Sequence, residues 1–443
     1  MGSNPIPSAI LVRRIKVNKY FTWTIGCQMN VADTEKLESA MNLMGLDNTD
    51  DVHDADVVVV NSCVVRSSAE DKVTGFLTSL KPLKKNNSDR VIALMGCMVG
   101  DRTHYLEDKF PYVDLFMKPQ QFDPLIYLIG DKLGIDPEGC IGNLTVKPNI
   151  SAYVPVIHGC DKFCSFCIIP YRRGRELSRK VSDVSNEIEL LSRRGVKEVT
   201  LLGQNIDSYG HDLSDSVDLS SLLEAVHDIS DIKRIRFLTS HPNDMSNKII
   251  EAVSALDRVC EHINLPFQAG DDEVLSRMRR GYTRDQYIRL IDKIRETVPN
   301  VSLATDVIVG FCGETEQQFE KTLDLLKSVE FDKVHSAAYS TRKGTIADRK
   351  FEDNISLSEK KDRLSALDTL QKEIQTKINL KLHGETTEIL VEGVKNGKIF
   401  GRNRNDKIVY IEDEVDNKSL VGTVKNVKIN KTGPWSLSGS LSN

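Results

Sequence analysis

The sequence predicts an α/β protein in three parts: an N-terminal doubly wound parallel sheet, a partial (β/α)6 barrel, and a small C-terminal antiparallel β-barrel. Three observations carry this. Strand-like apolar runs alternate with helical stretches over most of the chain, the pattern of parallel sheets wrapped by helices. A stretch at 134–150 rich in Gly, Pro, Asn and Asp divides that alternation into two series. After a charged helix at 356–382, the pattern changes to short strands broken by Gly and Asn turns. At 443 residues the chain exceeds one ordinary core. The expected domains are 17–133, 146–376 and 379–443.

In the first part, KYFTWTIGC, ADVVVVNSC and RVIALMGC read as strands, with TEKLESAMNLMG and SAEDKVTGFLTSLKPLKK as helices between them. A weaker helix–strand pair follows through YVDLFMKP. The second part offers six strands: YVPVIHG, KEVTLLGQN, RIRFLTSHP, HINLPFQAG, SLATDVIVGF and KVHSAAYS. Six βα units make a barrel short of the full eight. Polar residues gather at their C-terminal ends, among them Gln204, Asn205, Ser240, His241, Gln268 and Tyr339, where parallel barrels place active sites. In the third part, TTEILVEGV, KIFGRNRNDKIVYI and GTVKNVKINK suggest a small barrel of a kind that grips nucleic acid.

Composition narrows the function classes. Apolar residues make up 40% and charged residues 28%, as in globular proteins, and no apolar run reaches the length of a membrane span. MGSNPIPSAILVRR lacks a basic stretch followed by an apolar one, and Ile6 stands where a myristoylation motif wants Ser or Thr. A cytoplasmic location is expected. The net charge of −5 gives no general attraction to nucleic acid, so an RNA partner needs local basic patches. YRRGRELSRK at 171–180 is one candidate, against the alternative of a solvated charged surface. The third part carries nine Lys and Arg against eight Asp and Glu over 384–443, so only placement on one face would help there.

Nine cysteines in a long chain without an export signal point to metal ligation rather than disulfides. Cys27, Cys63 and Cys97 each follow the last apolar residues of successive strands in the first part, and carboxyl ends of parallel strands line the ligand crevice. Buried apolar thiols are the alternative. HGCDKFCSFCIIP at 158–170 sets Cys160, Cys164 and Cys167 in C-x3-C-x2-C directly after the first barrel strand. Three thiolates on a four-iron cubane leave one iron open, a position that S-adenosylmethionine (SAM) fills with its amino and carboxylate groups. Zinc with a distant fourth ligand such as His158 is the rival reading.

These motifs resemble the radical-SAM superfamily, and GCDKFCSFCIIPYRRGRE resembles its methylthiotransferase family. GCQMN, NSC and MGC in the first part are similar to that family's N-terminal domain. LLGQN, TSHP, LPFQAG and GFCGET are similar to its barrel, and the last part resembles its RNA-binding TRAM domain. The likeness runs over nearly the whole chain. Within the family, QMN after Cys27 and FCSFCIIPYRRGRE most resemble the bacterial tRNA-2-methylthio-N6-isopentenyladenosine synthases (MiaB-type). The chain departs from the family at Cys312, Thr341 and Lys343, where prolines are usual, and at Ala269, where Ser is usual. Cys140, Cys260 and Cys312 are left without a role.

The resemblance implies two [4Fe-4S] clusters. Cys160, Cys164 and Cys167 would hold the radical-SAM cluster, and Cys27, Cys63 and Cys97 an auxiliary cluster bearing sulfide or polysulfide. Two SAM molecules would serve each turnover, one as methyl donor and one as radical source. The target would be C2 of an adenosine at position 37 next to the anticodon, which is neither acidic nor electrophilic and therefore suits a radical. Phe166, Gln204, Ser240, Gln268 and Asp306 are the candidate SAM-binding residues. Arg172, Arg173, Arg175, Lys398, Arg402, Arg404 and Lys407 are the candidate contacts to a tRNA anticodon stem-loop, whose unstacked bases can be splayed out. Expected partners are a flavodoxin or ferredoxin as electron donor and a sulfur or cluster carrier, with no membrane and a monomeric enzyme. Threonylcarbamoyladenosine in tRNA, a ribosomal-protein aspartate, and a zinc-stabilised RNA-binding protein remain as alternatives.

Overall fold

The computed structural model describes residues 17–64, 67–140, 149–214, 216–413 and 417–442. The N-terminal stretch considered for targeting signals, and residues 141–148 of the 134–150 linker, lie outside the described residues. The chain forms two compact units, 1–146 and 147–443, so the third expected part belongs to the same unit as the second.

In the first unit, β1 (Lys19–Thr24) leads into α1 (Gln28–Leu43), and the two-residue β2 (Asp47–Asn48) follows. Then come β3 (Val57–Ser62), α2 (Ser67–Asn86), β4 (Val91–Gly96), α3 (His104–Lys109), β5 (Leu115–Met117) and α4 (Asp123–Leu133). The strands are all parallel, in the order β2-β1-β3-β4-β5. The four valines of β3 suit a strand covered on both faces. Val57 and Val59 bury against Leu37 and Met41 of α1 and Ile126 and Ile129 of α4. Val58 and Val60 bury against Val73, Leu77 and Leu80 of α2. This is the expected doubly wound sheet. Its strand order reverses between β1 and β3, the switch point at which such sheets open a crevice.

The second unit begins with β6 (Ser151–Pro155), and β7 (Ile157–His158) pairs antiparallel with β8 (Leu177–Ser178). YVPVIHG is therefore two strands, because its second half closes a hairpin around the cysteine loop. Between them lies the short α5 (Pro170–Arg173). Five βα steps follow: α6 (Val181–Arg193) to β9 (Glu198–Leu202), α7 (Leu219–His227) to β10 (Arg234–Leu238), and α8 (Asn247–Ala255) to β11 (His262–Asn264). Then α9 (Asp272–Arg277) and α10 (Arg284–Thr297) reach β12 (Ser302–Val309), and α11 (Glu316–Val329) reaches β13 (Lys333–Ala338). Capping boxes start α10 at Thr283/Gln286 and α11 at Thr315/Gln318, satisfying otherwise orphan helix N–H groups.

The six long strands form two parallel sheets, β6-β9-β10 and β11-β12-β13. Backbone bonds from Ile235 to Arg258 and from Cys260 to Ile235 join them. The result is the expected partial barrel.

After α12 (Ile346–Lys350), α13 (Leu357–Leu380) leads to the last strands: β14 (Thr386–Lys395), β15 (Lys398–Asn403), β16 (Ile408–Ile411), β17 (Val424–Thr432) and β18 (Leu437–Leu441). They close into a barrel in the order β14-β15-β16-β18-β17, around Ile389, Val391, Val409, Val427 and Ile429. Arg234 and Arg236 on β10 donate to backbone carbonyls of Arg402, Asn403 and Arg404 and so fasten this barrel to the partial one.

Candidate metal centres

Three thiols meet the carboxyl edge of the first sheet. Cys27 is the N-cap residue of α1, Cys63 directly follows β3, and Cys97 directly follows β4. β1, β3 and β4 are neighbours in the sheet, so all three cysteines lie at or beside the switch point. The backbone N–H of Cys97 donates to the Ser62 carbonyl at 2.9 Å, and a Cβ on Gly26 would lie 3.1 Å from Cys63 Cβ. The loops that carry the cysteines are thus in contact. Cys27 is exposed, whereas Cys63 and Cys97 are buried.

An amide pair behind the thiols fixes these loops. Asn30 Nδ2 donates to Asn61 Oδ1 at 2.8 Å and to the Ser62 carbonyl at 2.9 Å, while Asn61 Nδ2 donates back to the Asn30 carbonyl at 2.8 Å. Both residues are buried. Gly96 has φ +101°, and a Cβ there would fall 2.4 Å from Asn61 Oδ1, so only glycine admits the pair.

In the second unit, the 159–176 loop carries the other trio out of β7 and back into β8. Gly159 has φ +70°, and a Cβ there would meet the Arg175 carbonyl oxygen at 2.0 Å. Cys160 N–H donates to the Gly174 carbonyl and Cys167 N–H to the Cys164 carbonyl. Burial pushes the Cys160 thiol up to about 11, and the nearby Cys164 adds to the shift. Burial likewise pushes Cys167 up to about 12, with Cys164 and then Cys160 adding to it. The three sulfurs therefore feel one another's charge in a desolvated place. Thiols so placed resist ionisation until a cationic core arrives, which makes the trio suited to an iron–sulfur cluster. Among the described residues, no group of three His, Cys, Asp or Glu side chains is already gathered to hold a metal ion.

The loop is clamped from two sides. Ser165 Oγ donates to the Arg277 carbonyl at 2.7 Å, and Ser165 N–H donates to the Met278 carbonyl at 3.0 Å. Lys162 Nζ pairs with Asp244 at 2.6 Å, and Asn205 Nδ2 donates to the same carboxylate at 2.6 Å. Lys162, Asn205 and Asp244 carried no signal in the sequence that would mark them as partners.

Four of the five predicted SAM-binding residues, Phe166, Gln204, Ser240 and Gln268, lie in segments that follow β7, β9, β10 and β11, and Asp306 lies within β12. Phe166 and Gln204 are half-buried, and Ser240 is buried with its Oγ donating to Asp207 Oδ1 at 2.8 Å. Gln268 has φ +69°, a conformation that non-glycine residues avoid and that clusters at ligand clamps. Its backbone N–H donates to the Asp306 carbonyl and its carbonyl accepts from Ile308 N–H, so it bridges to β12 beside half-buried Asp306. Asp207, not singled out in the sequence, is pushed up to about 7 by burial. It accepts from Ser240 Oγ and from His241 N–H at 2.9 Å. His241 is driven down to about 2 by burial and by nearby Arg280 and Lys162. Its Nδ1 accepts from Asn243 N–H, which assigns the ring proton to Nε2.

Of the cysteines left without a role, Cys140 packs on the first unit's core, and Cys260 and Cys312 are buried in the second.

The candidate RNA contacts divide. Arg172 and Arg173 are half-buried in α5, and Arg175 forms an exposed bidentate pair with Asp161. Lys398 is exposed. Arg402, Arg404 and Lys407, the expected phosphate contacts, each also have a carboxylate partner within the chain. Arg402 pairs with Glu392, Arg404 forms a bidentate pair with Glu261, and Lys407 pairs with Asp332. Glu261 and Asp332 belong to the partial barrel, so the Arg404 and Lys407 pairs join the two barrels, whereas Glu392 lies on β14 next to the strand of Arg402.

Comparison with known proteins agrees with this architecture. Residues 154–326 match the Radical SAM superfamily, 19–118 match Uncharacterized protein family UPF0004, and 380–442 match the TRAM domain. The fold is similar to that of the radical S-adenosylmethionine methyltransferase TsrM from Kitasatospora setae, with TM-score 0.56 and 14% identity over 75% of this chain and 74% of that one. The tRNA-2-methylthio-N(6)-dimethylallyladenosine synthase of Dehalococcoides mccartyi (strain CBDB1) is 45% identical over 96% of this chain and 98% of its own. The protein of the same name from Herpetosiphon aurantiacus is 44% identical over 96% and 97%. A radical-SAM fold brings a [4Fe-4S] cluster and SAM. With this identity over nearly the full length of its relatives, the chain belongs to the radical-SAM methylthiotransferase family, among the tRNA-2-methylthio-N(6)-dimethylallyladenosine synthases, and is an enzyme.

Proposed function

We propose that this enzyme replaces the hydrogen on C2 of N6-isopentenyladenosine, at position 37 next to the anticodon of tRNA, by a methylthio group. The observation that carries this reading is a trio of cysteines at strand C-terminal ends in each of two units, in a chain whose relatives bear the names above. Cys160, Cys164 and Cys167 would hold the radical-SAM cluster, and Cys27, Cys63 and Cys97 the auxiliary cluster with its sulfide or polysulfide. When bound, the clusters and two SAM molecules per turnover supply the electron, the radical, the sulfur and the methyl group.

The chain's own residues bind and orient. Each trio leaves one iron free for a ligand. Phe166, next to Cys167, offers an aromatic face to an adenine, and Gln204, Ser240, Gln268 and Asp306 offer polar atoms around the same rim. Arg172, Arg173 and Arg175 follow the cluster cysteines directly and face an incoming anticodon stem-loop, with exposed Lys398 and with Arg402, Arg404 and Lys407 as the contacts on the last barrel. On this reading, 17–133 carries the auxiliary centre, 146–376 the radical centre and 379–443 the RNA-binding barrel. A flavodoxin or ferredoxin supplies electrons, a carrier supplies sulfur or clusters, and the enzyme works as a cytoplasmic monomer. Among the described residues no helix is long and apolar enough to cross a membrane.

Mass spectrometry of nucleosides tests the proposal. Reconstituted enzyme with SAM, dithionite and sulfide should convert isopentenyladenosine in tRNA to its methylthio derivative. Conversion of threonylcarbamoyladenosine or of a ribosomal-protein aspartate instead would reassign the substrate.

A further inference from the structure

Arg280 is a buried cation without a carboxylate. Its side chain is 5% exposed, and among the described residues no Asp or Glu bonds to it. Nη1 donates to Cys164 Sγ at 3.3 Å, Nη2 to the Pro266 carbonyl at 2.9 Å, and Nε to Tyr282 Oη at 3.0 Å. Tyr282 Oη in turn donates to the Phe267 carbonyl at 2.9 Å. The backbone holds the two segments together: Ser165, the neighbour of Cys164, is tied to the carbonyls of Arg277 and Met278, and Arg279, next to Arg280, takes a left-handed φ of +59°. A desolvated guanidinium is costly unless a negative partner faces it. Among the described residues, Cys164 is the bonded partner that can supply that charge, once it is a thiolate ligand.

We propose that Arg280 is a positioning residue of the radical-SAM centre: its hydrogen bond and charge at Cys164 Sγ raise the cluster's reduction potential. The same guanidinium ties that ligand to the LPFQAG segment, which carries the strained Gln268. Reduction adds one electron to a cluster held by anionic thiolates, so a cation and a donor at one sulfur stabilise the reduced state more than the oxidised one. Without them the cluster becomes harder to reduce, and a given electron donor fills a smaller fraction of it. The inference rests on the reading of Cys160, Cys164 and Cys167 as cluster ligands.

The test uses the full-length chain with Cys27, Cys63 and Cys97 replaced by Ala, so that one cluster remains, in an EPR-monitored reductive titration. Relative to Arg280, R280M should lower the ratio of reduced to oxidised cluster at a fixed potential about tenfold, or about 59 mV for one electron. R280K, which keeps the charge, should recover part of the loss. A fully loaded R280M cluster with unchanged potential overturns the inference. If R280M does not fold or load, pulsed EPR of the native chain labelled with guanidino-15N arginine decides. A 15N coupling at the reduced radical-SAM cluster supports the contact, and its absence refutes it. A native chain that assembles no cluster at all brings down the underlying reading and this inference with it.

Discussion

Asn30 and Asn61 hold each other by reciprocal 2.8 Å hydrogen bonds behind the cysteines of the first sheet. Asn30 comes from the first turn of α1 and Asn61 from β3, so the pair locks the Cys27 turn to the Cys63 turn. Asn61→Ala would leave the buried Asn30 amide short of an acceptor, costing about 2 kcal/mol. The expected outcome is a lower Tm and loss of iron from the first unit's centre alone. Full iron loading in a destabilised N61A protein would show that the pair serves folding and not the site.

Lys162 connects the cysteine loop to the loop after β10 through Asp244. The pair is partly exposed, with 28% of the lysine and 10% of the aspartate side chain accessible, so Lys162→Met should cost only about 1 kcal/mol. The larger effect is expected in function. SAM cleavage should fall while overall stability changes little, as activity assays and thermal unfolding run in parallel would reveal.

Asp207 gives stability a pH dependence with a defined sign. Its folded pKa of about 7 lies above the ordinary 3.8, because burial disfavours the charge. Between those values the folded state holds a proton that the unfolded state has released. Stability from this group is therefore present below about pH 4, declines as pH rises to about 7, and is level beyond. Asp207→Asn should flatten the slope of unfolding free energy against pH in that window. An identical slope in both proteins would contradict the assignment.

Arg236 is 4% exposed and bonds Glu198 and the Asn403 and Arg404 carbonyls. Arg236→Met would strand the buried Glu198 carboxylate, at a cost of roughly 3–5 kcal/mol. Hydrogen exchange should report the consequence as faster exchange along β15 and the 403–407 turn. Protection unchanged from the native protein would mean that the two barrels hold together by other contacts.

The sequence spoke most clearly where chemistry and periodicity coincided. Valine runs marked strands buried on two faces, and cysteines just past those runs had to sit at the sheets' carboxyl edges. The partners that fix the thiols left no such trace. Asn30 and Asn61 are 31 positions apart, Lys162 and Asp244 82, and Cys164 and Arg280 116, so only the fold brings each pair together. The same limit hid the carboxylate partners of the last hairpin. Arg404 and Lys407 pair with Glu261 and Asp332, 143 and 75 positions away. Likewise, β7 was hidden in YVPVIHG because its partner β8 lies beyond the cysteine loop.

Iron counted per chain after oxygen-free reconstitution tests the two-centre account most directly, in the native protein, in Cys63→Ala and in Cys164→Ala. The account predicts about eight irons in the native chain, four to each cubane, and about four in either variant. A native chain holding about four, or a variant that keeps the full native complement, would contradict it.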